Sequence, residues 1–391
     1  MYHWIRAALP SGEHTLSMAP EIVPMSNFGG TGPAPVGSFP GIGVSGAVDL
    51  AGNLREWCWN ESRGGRVALG GAWSDPAYAF TSPARPSAFD RSLVNGFRLM
   101  LERDERSGDA LRSPVAPPGI DVYAVKAISD QDFARNKGYF AYSNTPLNPV
   151  VGPAGESAPD WRRESVSIDA AYGKERFTVH LDLPTTTHAP YRAVVYFPGS
   201  NAAEQSTFED AYWERFDYIP RSGRVLVRPV LAGMYERSDR PVTPPHKSQL
   251  DQARAYVQDL GRTLDYLETR GDIDVSGLAY MGLSLGAFWG PVTLAYEDRF
   301  RVAIFIGGGL TGLGAASTAP RVTVPVLLLG GRYDYMVPAD TSQKALFDLL
   351  GTPSELKRRV IFEAGHLPLP RADVIRETLE WLDRYQGPVA R

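Results

Sequence analysis

Six short stretches in the later part of the chain are apolar without alternation: Ala193–Phe197 (AVVYF), Arg224–Val230 (RVLVRPV), Leu278–Met281 (LAYM), Val302–Ile306 (VAIFI), Pro325–Leu329 (PVLLL) and Arg359–Glu363 (RVIFE). A strand with one face in water alternates polar and apolar residues, whereas near-continuous Val, Ile, Leu and Phe is what a strand buried on both faces requires. Covering both faces takes helices, and the segments in between supply them. Leu250, Ala253, Val257, Leu260, Leu264 and Leu267 recur at steps of three and four, one apolar stripe along a helix over Leu250–Arg270. Further helices are expected near Asp340–Leu350 and over Ala372–Tyr385. Alternating strands and helices with right-handed crossovers predict a three-layer α/β domain on a mostly parallel sheet. Upstream, Glu164–Leu183 holds two extended stretches around Tyr172-Gly173, an antiparallel hairpin expected at the sheet edge.

The chain before this region has another texture. Residues 1–101 are rich in Gly, Pro and Trp with few periodic segments, and 102–118 (ERDERSGDALRSPVAPP) are charged and then Pro-rich, as in a linker. The expected organisation is a first domain over 1–101, a linker over 102–118 and an α/β domain over 119–391. A length of 391 residues accommodates both. With 40 Lys and Arg against 44 Asp and Glu, the net charge of −4 gives no basic excess for nucleic acid. Cys58 is the single cysteine, which excludes an intramolecular disulfide and any multi-cysteine zinc site. No apolar run reaches the roughly 18 residues of a membrane span, and the longest near the N-terminus is too short for a signal-peptide core. The sequence reads as that of a soluble, cytoplasmic protein with no membrane partner.

Gly282-Leu283-Ser284-Leu285-Gly286 fits the G-x-S-x-G pattern. The pentapeptide alone is weak evidence; its position directly after the strand Leu278–Met281 makes it strong. A nucleophile on a sharp strand-to-helix turn needs Gly on both sides, because the neighbours approach too closely for a Cβ. The plain alternative is a Gly-Ser loop.

A serine hydroxyl at neutral pH needs a general base. His366, in Ala364-Gly365-His366-Leu367-Pro368, is the one histidine that both follows the serine and ends a core strand. His180 lies inside an expected strand, His188 and His246 in Thr/Pro-rich connections, and His3 and His14 in the first domain. Packing or surface polarity accounts for these five. The base in turn needs a carboxylate to fix its tautomer. Asp334, in Gly330-Gly331-Arg332-Tyr333-Asp334, comes just past the strand Pro325–Leu329. Asp340 competes but reads as a helix start, and Glu363 falls within the last strand, pointing away from the loop. The order Ser284, Asp334, His366 is the nucleophile–acid–base order of α/β-hydrolases.

A tetrahedral intermediate also needs two N–H donors. Leu285, directly after the serine, is one candidate. The loop Phe197-Pro198-Gly199-Ser200-Asn201 offers the other, with Ser200 favoured over Asn201 by its place after the Gly; a simple β-turn is the alternative. Tyr212, Trp213, Tyr235, Phe288, Trp289 and Tyr335 fall near these loops and could line an apolar pocket or serve as packing. The short connection Gly307–Pro320 leaves no room for a large helical lid, which favours small or soluble esters.

Together, F-P-G-S-N, G-L-S-L-G, G-x-x-D-x-x-V-P and G-H resemble the α/β-hydrolase superfamily over about 119–391, particularly its dienelactone-hydrolase-like and acyl-peptidase-like members. The resemblance implies a serine carboxylic ester hydrolase acting on a small-molecule ester, with Ser284, His366 and Asp334 as the triad and no required cofactor. The alternatives are an acyl-peptidase or amidase with the same triad, and a non-catalytic binding module. Two departures are visible: Pro198 stands where many members carry His, and Pro291 suggests a kinked or shortened helix after the nucleophile. A dienelactone hydrolase would carry Cys where Ser284 stands.

The first domain has its own resemblance. D-L-A-G-N-L-R-E-W-C-W, G-G-A-W and N-G-F-R over 34–101 are similar to the C-terminal part of the formylglycine-generating-enzyme (sulfatase-modifying factor) fold. That family's domain is about twice as long, and similar fragments occur between a bacterial serine/threonine kinase and a C-terminal hydrolase. This chain holds no Gly-rich phosphate loop, H-R-D or D-F-G. Active members of that family use a cysteine pair, whereas Leu99 follows Asn95-Gly96-Phe97-Arg98 here, so a non-catalytic fragment is expected and Cys58 reads as packing. The same resemblance implies a structural calcium loop, with Asp49 and Glu56 as side-chain ligands and Gly52 and Leu54 as carbonyl ligands. A solvated or ion-paired arrangement of those carboxylates is the alternative. Trp57, Trp59 and Trp73 read as core.

Overall fold

The computed structural model describes residues 4, 7, 25–101, 112–114 and 121–389, apart from 42, 44, 63–64, 76–78, 81–82, 85, 88, 102–111, 154, 204, 209–215, 239–248, 311, 333 and 335. The chain divides into two compact units, Met1–Gly119 with Tyr333–Met336, and Ile120–Arg332 with Val337–Arg391. His3, His14, His246, Tyr212, Trp213 and Tyr335 lie outside the described residues, as does most of the linker 102–118.

The first unit holds a small sheet of β1 (Arg55–Ser62), β2 (Gly65–Leu69) and β3 (Asn95–Gly96), in the order β2-β1-β3. Its strands are short and its core is two small clusters, around Leu50, Ala51 and Phe80 and around Cys58, Val67 and Leu69. Ion pairs carry much of the organisation. Arg55 clamps the buried Asp75 through both Nε and Nη2, and Arg98 clamps Glu56. Cys58 is buried, and burial pushes its thiol pKa up, so it stays protonated and serves as packing. Trp59 is exposed rather than core.

The second unit is built on a ten-stranded mixed sheet: β4 (Val150–Val151), β5 (Ser157–Ala158), β6 (Trp161–Asp169), β7 (Arg176–Pro184), β8 (Tyr191–Phe197), β9 (Val225–Pro229), β10 (Ile273–Leu283), β11 (Val302–Ile306), β12 (Val326–Gly331) and β13 (Lys357–Phe362). The order is β13-β12-β11-β10-β8-β9-β7-β6-β4, with β5 paired to β6. From β8 to β13 every pairing is parallel. The β6–β7 hairpin is antiparallel, turning through Gly173 at φ 62°. It lies one strand in from the edge that β4 forms, because β7 pairs on to β9.

Helices cover both faces: α1 (Asp130–Phe140), α2 (Tyr218–Arg221), α3 (Gln249–Thr269), α4 (Leu285–Tyr296), α5 (Leu313–Thr318), α6 (Lys344–Leu349) and α7 (Arg371–Tyr385). Alternate strand residues feed two cores. Val195, Phe197, Tyr280, Phe305 and Leu328 pack with α3 and α4 residues such as Tyr256, Leu260, Leu264 and Trp289. Val194, Tyr196, Met281, Ile304 and Leu327 pack on the other face with Ile219 of α2 and Trp381 and Leu382 of α7. The unbroken apolar runs are explained by this, since neither side of the sheet meets water. Pro291 is buried inside α4 and does not end it; the helix runs on to Tyr296. No helix among the described residues is long and apolar enough to cross a membrane.

Candidate active site

Residue 284 joins β10 directly to α4, with no loop between strand and helix. Ser284 sits at φ 47°, ψ −100°, a conformation that costs a side-chain-bearing residue of order 1–3 kcal/mol and persists only where surrounding structure enforces it. The enforcing contacts are visible. The Ser284 amide donates to Ile306 O at 2.7 Å and the Gly286 amide to Pro198 O at 3.1 Å. A Cβ on Gly282 would lie 2.5 Å from Gly286 C, and one on Gly286 only 2.2 Å from Phe197 O. Both clashes are with backbone, so both glycines are obligatory. The buried Tyr280 hydroxyl donates to Gly286 O at 2.6 Å, bracing the turn from beneath.

His366 lies in the segment after β13, buried, with its Nε2 2.8 Å from Ser284 Oγ. The imidazole fits because Gly307, at φ 65° just past β11, has no side chain: a Cβ there would lie 3.3 Å from His366 Cε1. The structure thus brings a hydroxyl and an imidazole from positions 82 apart into hydrogen-bonding contact on a turn that projects the hydroxyl.

Asp334 comes three residues past the end of β12 and is buried, 3 % exposed. The end of its strand abuts the base's segment, since a Cβ on Gly331 would fall 1.9 Å from Gly365 O. Asp340, the competing carboxylate, is exposed and opens a π-helical turn, Ala339–Gln343. Glu363 lies just beyond β13 rather than within it, exposed and paired with Arg332 at 2.5 Å. A carboxylate so placed at a strand end finds an arginine partner in water, which is the correction to its expected strand position.

Of the two expected oxyanion donors, Leu285 is the first residue of α4, where an α-helix leaves its amides without an intrahelical acceptor. The amides on either side are committed, Ser284 N to Ile306 O and Gly286 N to Pro198 O. Ser200 opens the short 3₁₀ turn Ser200–Ala203 at the end of β8. The Gly286–Pro198 bond ties that segment to the elbow. Among the aromatics, Tyr235 is buried against Phe208 and Trp289 against Tyr256, both as packing. Phe288 is half-buried on α4 and stacks edge-on against Trp289. His188 is exposed.

The carboxylates expected at a calcium loop do not fit the ion. Both Glu56 oxygens face cationic or N–H donors, Arg98 Nε and Nη2 at 2.7–3.0 Å and the Trp4 indole at 2.8 Å. Asp49 accepts the Gly37 amide at 2.6 Å. A guanidinium held on Glu56 repels a divalent cation and occupies the lone pairs it would need. No group of three or more metal-ligating side chains occurs among the described residues.

Residues that the sequence did not announce also shape the site. Tyr280 carries a weak signal, a hydroxyl inside a strand buried on both faces that must find a partner. Gly307 carried none.

A hairpin leading through an antiparallel strand into a run of parallel strands is consistent with an α/β-hydrolase fold. Solved structures are similar to this chain in fold. A cold-adapted esterase from an Arctic intertidal metagenomic library is 18 % identical, with a TM-score of 0.50 over 63 % of this chain and 100 % of that one. An acetyl xylan esterase from a Paenibacillus species is 16 % identical, TM-score 0.52, over 68 % and 98 %. One from a Thermoanaerobacterium species is 15 % identical, TM-score 0.50, over 66 % and 95 %. At these identities the likeness is one of fold. In sequence the chain matches no family model and none of the curated proteins.

Proposed function

We propose that the α/β region of the chain, about 119–391, is a serine carboxylic ester hydrolase working through an acyl-enzyme. The observation that carries this is the 2.8 Å contact between Ser284 Oγ and His366 Nε2 at an elbow held in a strained conformation. The names of the fold's solved examples, esterases and acetyl xylan esterases, agree in class.

In the proposed reaction His366 takes the Ser284 proton as Oγ attacks the ester carbonyl. Asp334 holds the imidazole in its productive tautomer and stabilises the imidazolium. The amides of Leu285 and Ser200 receive the oxyanion. Collapse expels the alcohol, protonated by His366, and a water activated by the same imidazole releases the acid. The chemistry calls on no metal or organic cofactor. Residues 1–101, read as a formylglycine-generating-enzyme-like domain, take no part in it. Turnover of p-nitrophenyl acetate and butyrate tests the reading: Ser284→Ala should reduce kcat by at least about a thousandfold, and a mutant as active as the wild type ends it. An amide panel run alongside separates ester hydrolysis from the peptidase alternative, which uses the same side chains.

A further inference from the structure

The segment that carries Asp334 is closed by one side chain. Gln343, fully buried, donates from Nε2 to Gly331 O at 3.1 Å and to Val337 O at 2.8 Å. Those two carbonyls stand at the two ends of the stretch 332–336, the first on the last residue of β12 and the second three residues past Asp334. A single amide nitrogen with two N–H groups therefore pins both ends of the stretch at once.

Three features show that the position is built for this. Gln343 closes a π-helical turn, its own amide donating to Pro338 O at 3.2 Å, and a π-turn is a costly, rare device that recurs at functional sites. Its Oε1 is buried without a donor, a cost that a residue serving only to fill space would not carry. Gly330 leaves room for it, since a Cβ there would lie 2.0 Å from that Oε1. The same turn reaches the next strand end: Ser342 Oγ donates to Leu310 O at 2.8 Å and Leu310 N to Ser342 O at 3.2 Å.

We propose that Gln343 is a positioning residue for the reaction, tying Gly331 and Val337 at the two ends of the segment that bears Asp334. This rests on the reading of Asp334 as the triad acid. Without the two donors, Gly331 O and Val337 O lose their tie and the segment between them loosens. Loosening of that kind costs rate rather than ester binding.

The test measures the second-order rate at which a fluorophosphonate labels Ser284, followed by intact mass, in wild type, Gln343→Leu, Asp334→Asn and the double variant. Thermal melting checks each fold. Gln343→Leu should slow labelling roughly tenfold, lower the apparent pKa on the acid limb of the pH profile, and leave KM for p-nitrophenyl acetate unchanged. Added to Asp334→Asn, it should slow labelling no further. Equal slowing in both backgrounds, or wild-type labelling by folded Gln343→Leu, overturns the positioning role while Asp334 keeps its own. Wild-type labelling by Asp334→Asn overturns the acid assignment, and Gln343's role falls with it. If Gln343→Leu does not fold, Gln343→Met keeps the length without the donors and carries the same expectations.

Discussion

Two serine–histidine pairs in this chain share one distance and differ in the backbone that carries the hydroxyl. Ser284 Oγ lies 2.8 Å from His366 Nε2, and Ser165 Oγ lies 2.8 Å from His180 Nδ1. Ser165 and His180 are direct cross-strand partners on β6 and β7, in relaxed ladder geometry. Ser284 is held at positive φ on a turn between strand and helix. The His180 ring stacks on Phe208 at 3.9 Å, and burial with the Arg228 and Arg163 charges beside it pushes its pKa down to about 3. The near carboxylate, Asp182, is already spent on those two arginines. An imidazole that cannot take a proton cannot serve as a general base, however well it meets a hydroxyl. A hydrogen bond of the right length thus does not define a nucleophile: the pair at Ser165 lacks both the backbone that projects a hydroxyl and an imidazole able to take its proton.

The sharpest way to break the contrast is to attack the elbow itself. Gly286→Ala puts a Cβ 2.2 Å from Phe197 O, where no side chain can move aside. The expected result is a loss of about 3 kcal/mol or more in urea-unfolding stability. Turnover of p-nitrophenyl acetate should fall at least about a hundredfold. A stable, active Gly286→Ala enzyme would mean that the strained turn is not what makes Ser284 special.

The second test concerns the other imidazole. An ordinary histidine titrates near 6.5, and folded His180 only near 3, so between these pH values the unfolded chain binds a proton that the folded one refuses. Stability therefore rises with pH across that window and is lost as pH falls, with a slope of up to about 1.4 kcal/mol per pH unit from this group. Denaturation midpoints from pH 7 down to 4 should decline more shallowly in His180→Asn than in the wild type. Parallel declines would show that His180 protonates while folded.

These contrasts also explain how much of the molecule could be read in advance. The elbow and the central strands were legible because their causes are local: a five-residue glycine pattern after an apolar run, and buried strands with no polar alternation. His180 was legible as packing for the same reason, sitting mid-strand. What escaped depends on partners distant in the chain. Glu56 meets Arg98 across 42 positions, and nothing in a Gly-containing loop distinguishes a carboxylate awaiting a cation from one already holding a guanidinium. The helix expected from Asp340 begins as a π-turn, Ala339–Gln343, whose Gln343 bonds the carbonyls of Gly331 and Val337, contacts that no local propensity announces. β10 begins five residues earlier than its apolar run, at Ile273, because Tyr191 and Arg192 of β8 pair with Ile273 and Asp274 across an irregularity in the ladder.

A smaller effect is expected beneath the elbow. Tyr280→Phe removes the donor to Gly286 O while keeping the ring that packs edge-on against Phe300 and Phe305. One buried hydrogen bond is worth about 1 kcal/mol in net stability. Turnover should fall by roughly threefold, with the loss in kcat, because the turn is loosened and not displaced. An unchanged kcat would place the whole enforcement of the elbow in its glycines and backbone bonds.

The smallest effect belongs to the serine that resembles the proposed nucleophile only by distance. Ser165→Ala leaves His180 Nδ1 without its hydroxyl partner, a cost of about 1 kcal/mol for a buried polar atom. Ester turnover should stay within about twofold of wild type, because Ser165 sits on β6, two strand positions beyond β9 and away from the carboxyl ends of β10 and β13 that carry Ser284 and His366. Fluorophosphonate should modify wild type once, at Ser284, and Ser165→Ala identically. Labelling at Ser165, or a tenfold fall in turnover without it, would erase the distinction, since an imidazole held neutral by burial and two guanidinium groups has no means of activating the hydroxyl beside it.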